Sequence, residues 1–308
     1  MNTSKVRIKV FPGAQNLPLY ICHERGLFEN FGIHVDLLFT QNSGEIRNGL
    51  ASHEFDLAHT AVDNAVAMVL LEQHDVLIIA GGDNGLNELF VQPYVKAVAD
   101  LAGKTVIVDA PHTAYALQLK MVLAEAGLAA GRDYTLQPVG ATYKRLQAMR
   151  DNENYAASIL NPPFSIKAAG HGLKSLGRLV DMIGSYQATS VFGMRNWLEA
   201  NMSTVSRYLA AYVAGVRQVF RADLEKDNVD LLCRKLDIDD ETARATLRAL
   251  IDPVYGIAQD AKFNNEAFAT VLRLRETLEP GAVPPDFSNT RLDATYYRDA
   301  LAILDSHC

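Results

Sequence analysis

The chain has 308 residues, 49% hydrophobic and 21% charged, with a formal net charge of -7. This is the make-up of an ordinary globular protein with one large or two medium domains, and its acidic balance, with no basic stripe, excludes a nucleic-acid surface. Cys22, Cys233 and Cys308 are odd in number, far apart and free of CxxC spacing, which argues against a disulfide framework or a zinc site.

The N-terminal MNTSKVRIKVF carries no basic patch leading into an apolar run, and no run is long enough to span a bilayer. The expectation is a periplasmic protein if a leader was removed, otherwise a cytoplasmic one, in either case without direct membrane insertion. From Lys5 a short apolar run, a small or polar loop and an amphipathic helix alternate, the signature of an α/β fold with mainly parallel sheets. The first unit is VRIKVF, the loop PGAQN and a helix over 17–30, with Asn16 placed to cap it and Pro18 in its first turn, where a missing N–H costs little. Next come the strand IHVDLLFT, the loop QNSG and a helix over 45–52. FDLAHT reads as a third strand, AVDNAVAMVLLEQ as a helix with apolar positions at helical spacing, and VLIIAGG as a buried fourth strand.

The middle begins near NELFVQP. A strand over 105–109 runs into a loop and a helix ending at Gly127, and YTLQPVG, a helix over 143–149, YAASILNPPF and KSLGRLVDM continue the pattern as a second doubly wound unit. After QATSVFGM, and from Trp197 onward, the pattern is nearly all helical, with PPDF at 284–287 preceding a final short helix. Neither an internal repeat nor a low-complexity linker interrupts it.

These segments, in this order, resemble the type II periplasmic binding proteins of the nitrate, sulfonate and taurine ABC importers, together with the thiamine-pyrimidine precursor proteins. The likeness is carried by LPLYICHERGLFENFGIHVDLLF, with its Gly26-Leu27-Phe28 turn, by SGEIRNGLASHEFDLAHTAVDNA, and by DLAGKTVIVDAPHTA. The resemblance implies two α/β lobes joined by two crossing strands and closed on one small molecule, with extra C-terminal helices packed on lobe one. Lobe one is then 1–89 and 190–308, lobe two 90–189, with the crossings near 89–92 and 188–192. It also implies an importer permease and ATPase as partners, and no cofactor.

Ligands of open parallel sheets bind outside the carboxyl ends of the strands, where backbone N–H groups at helix starts face a crevice. That rule selects as ligand-binding candidates Gln15 and Asn16 in the first loop, Asn42, Ser43 and Gly44 in the second, and His59, Thr60, Asp63 and Asn64 after the third strand. Asn84 follows the fourth, and the second unit adds His112, Thr113, Tyr115, Thr142, Asn161 and Pro163. For each loop the plain alternative is a helix cap, which Asn16, Ser43 with Gly44, and Asp109 with Thr113 all suit. His59 and His112 are placed to face the crevice, but without HxH or HExxH spacing no metal site is expected.

Catalysis has less support. Cys22 and His23 are neighbours that point about 100° apart on a helix, and no GxSxG elbow or GxGxxG loop is present. The resembling family includes enzymes: pyrimidine synthases with a sacrificial histidine where Asn64 stands here and a cysteine-rich motif this chain lacks, and desulfinases with a reactive cysteine in the first loop, which here reads PGAQN. A cytosolic enzyme of this pyrimidine-precursor or desulfinase/decarboxylase kind is the alternative to a receptor; a cytosolic sensor ranks last, since no DNA-binding segment is appended. Asp63, Asp83 and Asp109 lie in or beside the loops, and these loops contain no Arg or Lys before Lys144 and Arg145. The ligand expected is neutral or nitrogen-containing, with a ring for Phe11, Tyr115 or Phe164 to pack against.

Overall fold

The computed structural model describes residues 4–281 and 283–307. The strands among them are β1 (Ser4–Val10), β2 (Ile33–Phe39), β3 (Leu57–Ala61), β4 (Val76–Gly81), β5 (Glu88–Val91), β6 (Thr105–Val108), β7 (Thr135–Pro138), β8 (Tyr155–Leu160), β9 (Lys174–Arg178) and β10 (Thr189–Met194). They form two five-stranded sheets, β2-β1-β3-β10-β4 and β7-β6-β8-β5-β9, each wrapped by helices.

In the first sheet β1 runs parallel to β2 and β3, while β10 runs antiparallel to β3 and β4. In the second, β6 is parallel to β7 and β8, while β5 is antiparallel to β8 and β9. The reversed strand in each sheet follows from connectivity. A chain leaving the carboxyl end of one lobe's strands enters the other sheet from the crevice side, and so runs against strands whose carboxyl ends face that crevice. The segments expected to cross are thus β5 and β10 themselves, each a member of one sheet. The passages between lobes lie just before them, over 82–87 and 184–188.

The two passages are pressed together: a Cβ on Gly82 would stand 2.2 Å from Thr189 Oγ1. The first passage also pairs with a C-terminal loop, where the Asn84 N–H donates to Gly256 O at 2.9 Å and the Ala258 N–H to Gly82 O at 2.8 Å.

Helix starts and ends differ from the sequence pattern where backbone geometry intervenes. The first helix stops at Leu17–Glu24 and a short one resumes at Leu27–Asn30, because Gly26 has φ +65° and a left-handed residue ends a right-handed helix. Two helices, Phe287–Arg291 and Thr295–His307, follow 284–287 where one short helix was expected; the Asp293 carboxylate accepts from the Thr295 N–H at 2.9 Å and starts the second.

Met202–Val219 buries Tyr208, Leu209, Val213 and Val216 against the first sheet's helices and against Thr295–His307. Cys22 is a core thiol there, its Sγ 3.2 Å from Ala211 O. The late helices do not all return to lobe one as expected, since Asn265–Leu278 lies against Ala114–Glu125 of lobe two. Its Phe268, Val271 and Leu274 belong to one buried cluster with Ala58 and Val62 of the first sheet's side and Val106 and Leu119 of the second's. The apolar core is therefore continuous between the lobes along that flank.

Candidate functional site

The carboxyl ends of both sheets open onto one crevice of about 820 Å³, its mouth included. Lobe one lines it with Phe11, Pro12 and Gln15 after β1, Ser43 after β2, and His59, Thr60, Ala61 and Asn64 at β3 and the helix that follows. Lobe two contributes Asp109, Thr113, Tyr115 and Gln118 after β6, Thr142 and Arg145 after β7, and Asn161 after β8. The passages add Asp83, Leu86 and Asn87 on one side and Tyr186, Ala188 and Thr189 on the other.

His59 is 8% exposed and stands in β3 with its Nε2 2.5 Å from the Tyr208 hydroxyl and its ring edge-on to Tyr212. Burial pulls its pKa down to about 3, so the ring is neutral at ordinary pH. Asn64, in the first turn of the helix after β3, donates through Nδ2 back to Thr60 Oγ1 at 3.1 Å and holds that wall together.

Opposite, Arg145 is 1% exposed and donates to Ser158 Oγ (3.1 Å), Gly140 O (2.8 Å), Thr142 Oγ1 (3.1 Å) and Ile159 O (2.9 Å), all neutral oxygens. Burial lowers its pKa, an effect that the nearby Asp109 carboxylate opposes. Burial raises the Asp109 pKa in turn, against Arg145 and a 2.5 Å bond from Thr113 Oγ1. Asp83 is held by the Thr189 hydroxyl and the N–H groups of Gly85 and Leu86, and burial raises its pKa too. Three crevice-lining residues each carry a buried side-chain atom without a hydrogen-bond partner: Gln15 Oε1, Gln118 Nε2 and Asn161 Oδ1.

The family described as NMT1/THI5 like matches residues 14–222, which include most of the crevice-lining segments. The chain belongs to the NMT1/THI5-like family. No curated protein matches it in sequence. Among solved structures, a protein of Bordetella bronchiseptica RB50 is 19% identical with a TM-score of 0.85, covering 99% of each chain. The periplasmic nitrate-binding protein NrtA of Synechocystis PCC 6803 is 15% identical with a TM-score of 0.78, over 98% of this chain and 89% of that one. The periplasmic aliphatic sulphonate binding protein SsuA of Escherichia coli is 17% identical with a TM-score of 0.73, over 94% and 91%. These likenesses establish the periplasmic binding protein fold.

In this NMT1/THI5-like chain the crevice gathers Gln15, Ser43, His59, Thr60, Asn64, Thr113, Tyr115, Thr142 and Asn161 from the sequence-derived candidates. The others are held elsewhere. Asn16 does not cap its helix: its Nδ2 donates to Phe11 O at 2.7 Å, tying the first loop shut. Asn42, not Ser43 with Gly44, caps the next helix by accepting from the Glu45 N–H, and Gly44 lies inside that helix. Thr113 stands at the N-cap position, but its hydroxyl turns to Asp109 instead of capping. Asp63 is bound by both arms of Arg275, His112 is exposed beside Glu279, Asn84 is held by Gly256, and Pro163 is buried at the start of Phe164–Gly170. Phe164 packs toward Tyr143, away from the crevice, whereas Phe11 and Tyr115 line it.

The strand-end rule overlooks Gln118, Arg145, Tyr186 and Thr189. The first two had a readable signal, since each lies three positions after a candidate (Tyr115, Thr142) and so shares its helix face. Of the two basic residues that the sequence places beside these loops, Arg145 lines the crevice. Among the described residues no helix is long and apolar enough to cross a membrane.

Proposed function

We propose that this protein is the solute-binding component of an ABC importer, closing two lobes (1–89 with 190–308, and 90–189) by hinge motion on one small organic molecule. Its partners are then a permease and an ATPase, and its place of work is the periplasm. The fold shared with a nitrate-binding and a sulphonate-binding protein supports the role. The observation that carries the reading is the crevice at the carboxyl ends of both sheets, in which three lining residues each carry a buried side-chain atom without a partner: two acceptors, Gln15 Oε1 and Asn161 Oδ1, and one donor, Gln118 Nε2. A buried polar group without a partner costs roughly 1–3 kcal/mol, and rotation of these three side chains toward the crevice would pair them with a guest.

Two free acceptors ask for N–H or O–H donors on the solute, the free donor asks for one acceptor, and Tyr115 and Phe11 offer faces for a ring. Arg145 roughly balances one of the crevice carboxylates. A nitrogen-containing, neutral solute, with an aromatic ring, fits this pattern best. Mass spectrometry of small molecules released when the purified protein is denatured, followed by calorimetry with an aminopyrimidine, an aliphatic amine and an alkanesulfonate, tests it. Binding of the sulfonate alone overturns the ligand class; no released molecule and no binding of any probe overturns the receptor reading.

A further inference from the structure

The Arg275 guanidinium sits where the two lobes meet on the flank of the crevice. It is 0% exposed and grips Asp63 with both arms, Nε to Oδ1 at 2.9 Å and Nη2 to Oδ2 at 2.7 Å. The same Nη2 donates to His112 O at 3.3 Å, and Nη1 donates to Glu279 Oε2 at 2.9 Å. Glu279 Oε1 lies 3.2 Å from His112 Nδ1, which closes a ring of three residues, with Asp63 attached to it through Arg275.

Asp63 and His112, both held by Arg275, belong to opposite walls. Asp63 opens the lobe-one helix whose next residue, Asn64, lines the crevice; His112 belongs to the lobe-two loop whose next residue, Thr113, lines it from the other side. The helix that carries Arg275 is itself anchored to the return passage and to lobe two. The Asn264 N–H donates to Gln187 Oε1 at 2.8 Å, the Gln187 N–H to Ala267 O at 3.3 Å, and Arg273 Nη2 to Ile183 O at 2.7 Å.

We infer that Arg275 is a positioning residue that sets the spacing between the two walls of the crevice, one nitrogen holding a lobe-one carboxylate and a lobe-two carbonyl at once. Opening of the lobes on this flank has to break the bond to His112 O or the pair with Asp63. A lysine keeps the charge but offers no planar fork to span both partners. The inference concerns the walls, whichever solute lies between them.

Hydrogen exchange on the full chain without added solute tests it, in Arg275→Lys and Glu279→Gln, over segments 60–66, 110–118 and the β6 control 105–108. In Arg275→Lys both wall segments are expected to exchange about tenfold faster with the control unchanged, as for local opening. Faster exchange at 60–66 alone means that Arg275 only satisfies Asp63 within lobe one, and overturns the inference, as does no change at either wall. Should the control also lose protection in Arg275→Lys, Glu279→Gln decides, because its side chain is 25% exposed and sits outside the buried pair. Faster exchange at both 60–66 and 110–118 in that variant upholds the inference, because Glu279 touches only the second segment directly; unchanged exchange at 60–66 overturns it.

Discussion

The guanidinium of Arg145 lies 4.9 Å over the ring of Tyr115, a cation stacked on an aromatic face within the lobe-two wall of the crevice. Burial pushes the Tyr115 hydroxyl up to about 12, with Arg145 opposing, so it stays a neutral donor. Replacing Arg145 by Met leaves Gly140 O without its donor and Ile159 O with only the 3.5 Å bond from Ser158 Oγ, at roughly 1–3 kcal/mol for each weakened group. The expected loss is several kcal/mol in urea unfolding, with Arg145→Lys between Met and wild type because it keeps charge but not the fork. Equal stability of all three proteins would show that the fork does not support this wall.

Asn161 offers a cleaner separation of binding from folding. Its Oδ1 has no partner, while its backbone carbonyl already accepts from Phe164 and Ser165. Asn161→Ala removes an unsatisfied acceptor together with some packing, so stability is expected to stay within about 1 kcal/mol. Affinity for the co-purified solute should fall by about tenfold, the worth of one hydrogen bond in a dry site. Calorimetry on both proteins measures it, and undiminished affinity would remove Asn161 from the contact set.

The alternation of apolar runs and amphipathic helices made both sheets legible in the sequence, and the strand-end rule reached nine of its candidates in the crevice because carboxyl-end loops depend on local order alone. What it could not reach depends on distant partners. Asp63 reads as a crevice carboxylate until Arg275, 212 positions later, takes it. Tyr186 comes from the return passage and Thr189 from the start of β10 just after it, and their place beside Asp83 is set by chain crossing and not by any local period. Asn16 leaves its helix uncapped for a related reason: a side-chain amide serves whichever backbone group lies nearer, here Phe11 O.

Gly82 marks where the passages touch. An added methyl would stand 2.2 Å from Thr189 Oγ1, and that hydroxyl is fixed because it accepts from the Asp83 N–H and donates to its carboxylate. Gly82→Ala is expected to destabilise by about 1–3 kcal/mol through overpacking. Combined with Thr189→Ala, which makes room but gives up the Asp83 bonds, the total should be less than additive. A double-mutant cycle by urea unfolding checks this; strict additivity would mean that the two passages do not press on each other.

His59 makes the stability of the chain fall with acidification. Folded, its pKa is about 3; unfolded, it returns to the ordinary 6.5. Between those values the unfolded chain binds a proton that the folded chain refuses, so stability drops as pH falls from 6.5 toward 3 and is untouched by this group above 6.5. The slope is about 1.4 kcal/mol per pH unit at most. Asp83 and Asp109 act with the opposite sign, since burial raises their pKa and protonation then favours the folded state. Because all variants share those carboxylates, the informative quantity is the difference between wild type and His59→Gln, whose amide is neutral throughout. Between pH 7 and pH 5 wild type should lose about 2 kcal/mol more than the variant in urea unfolding. Parallel pH profiles would mean that the folded crevice admits a charged imidazole beside Tyr208, and His59 would then be a candidate to face an anionic group of the solute.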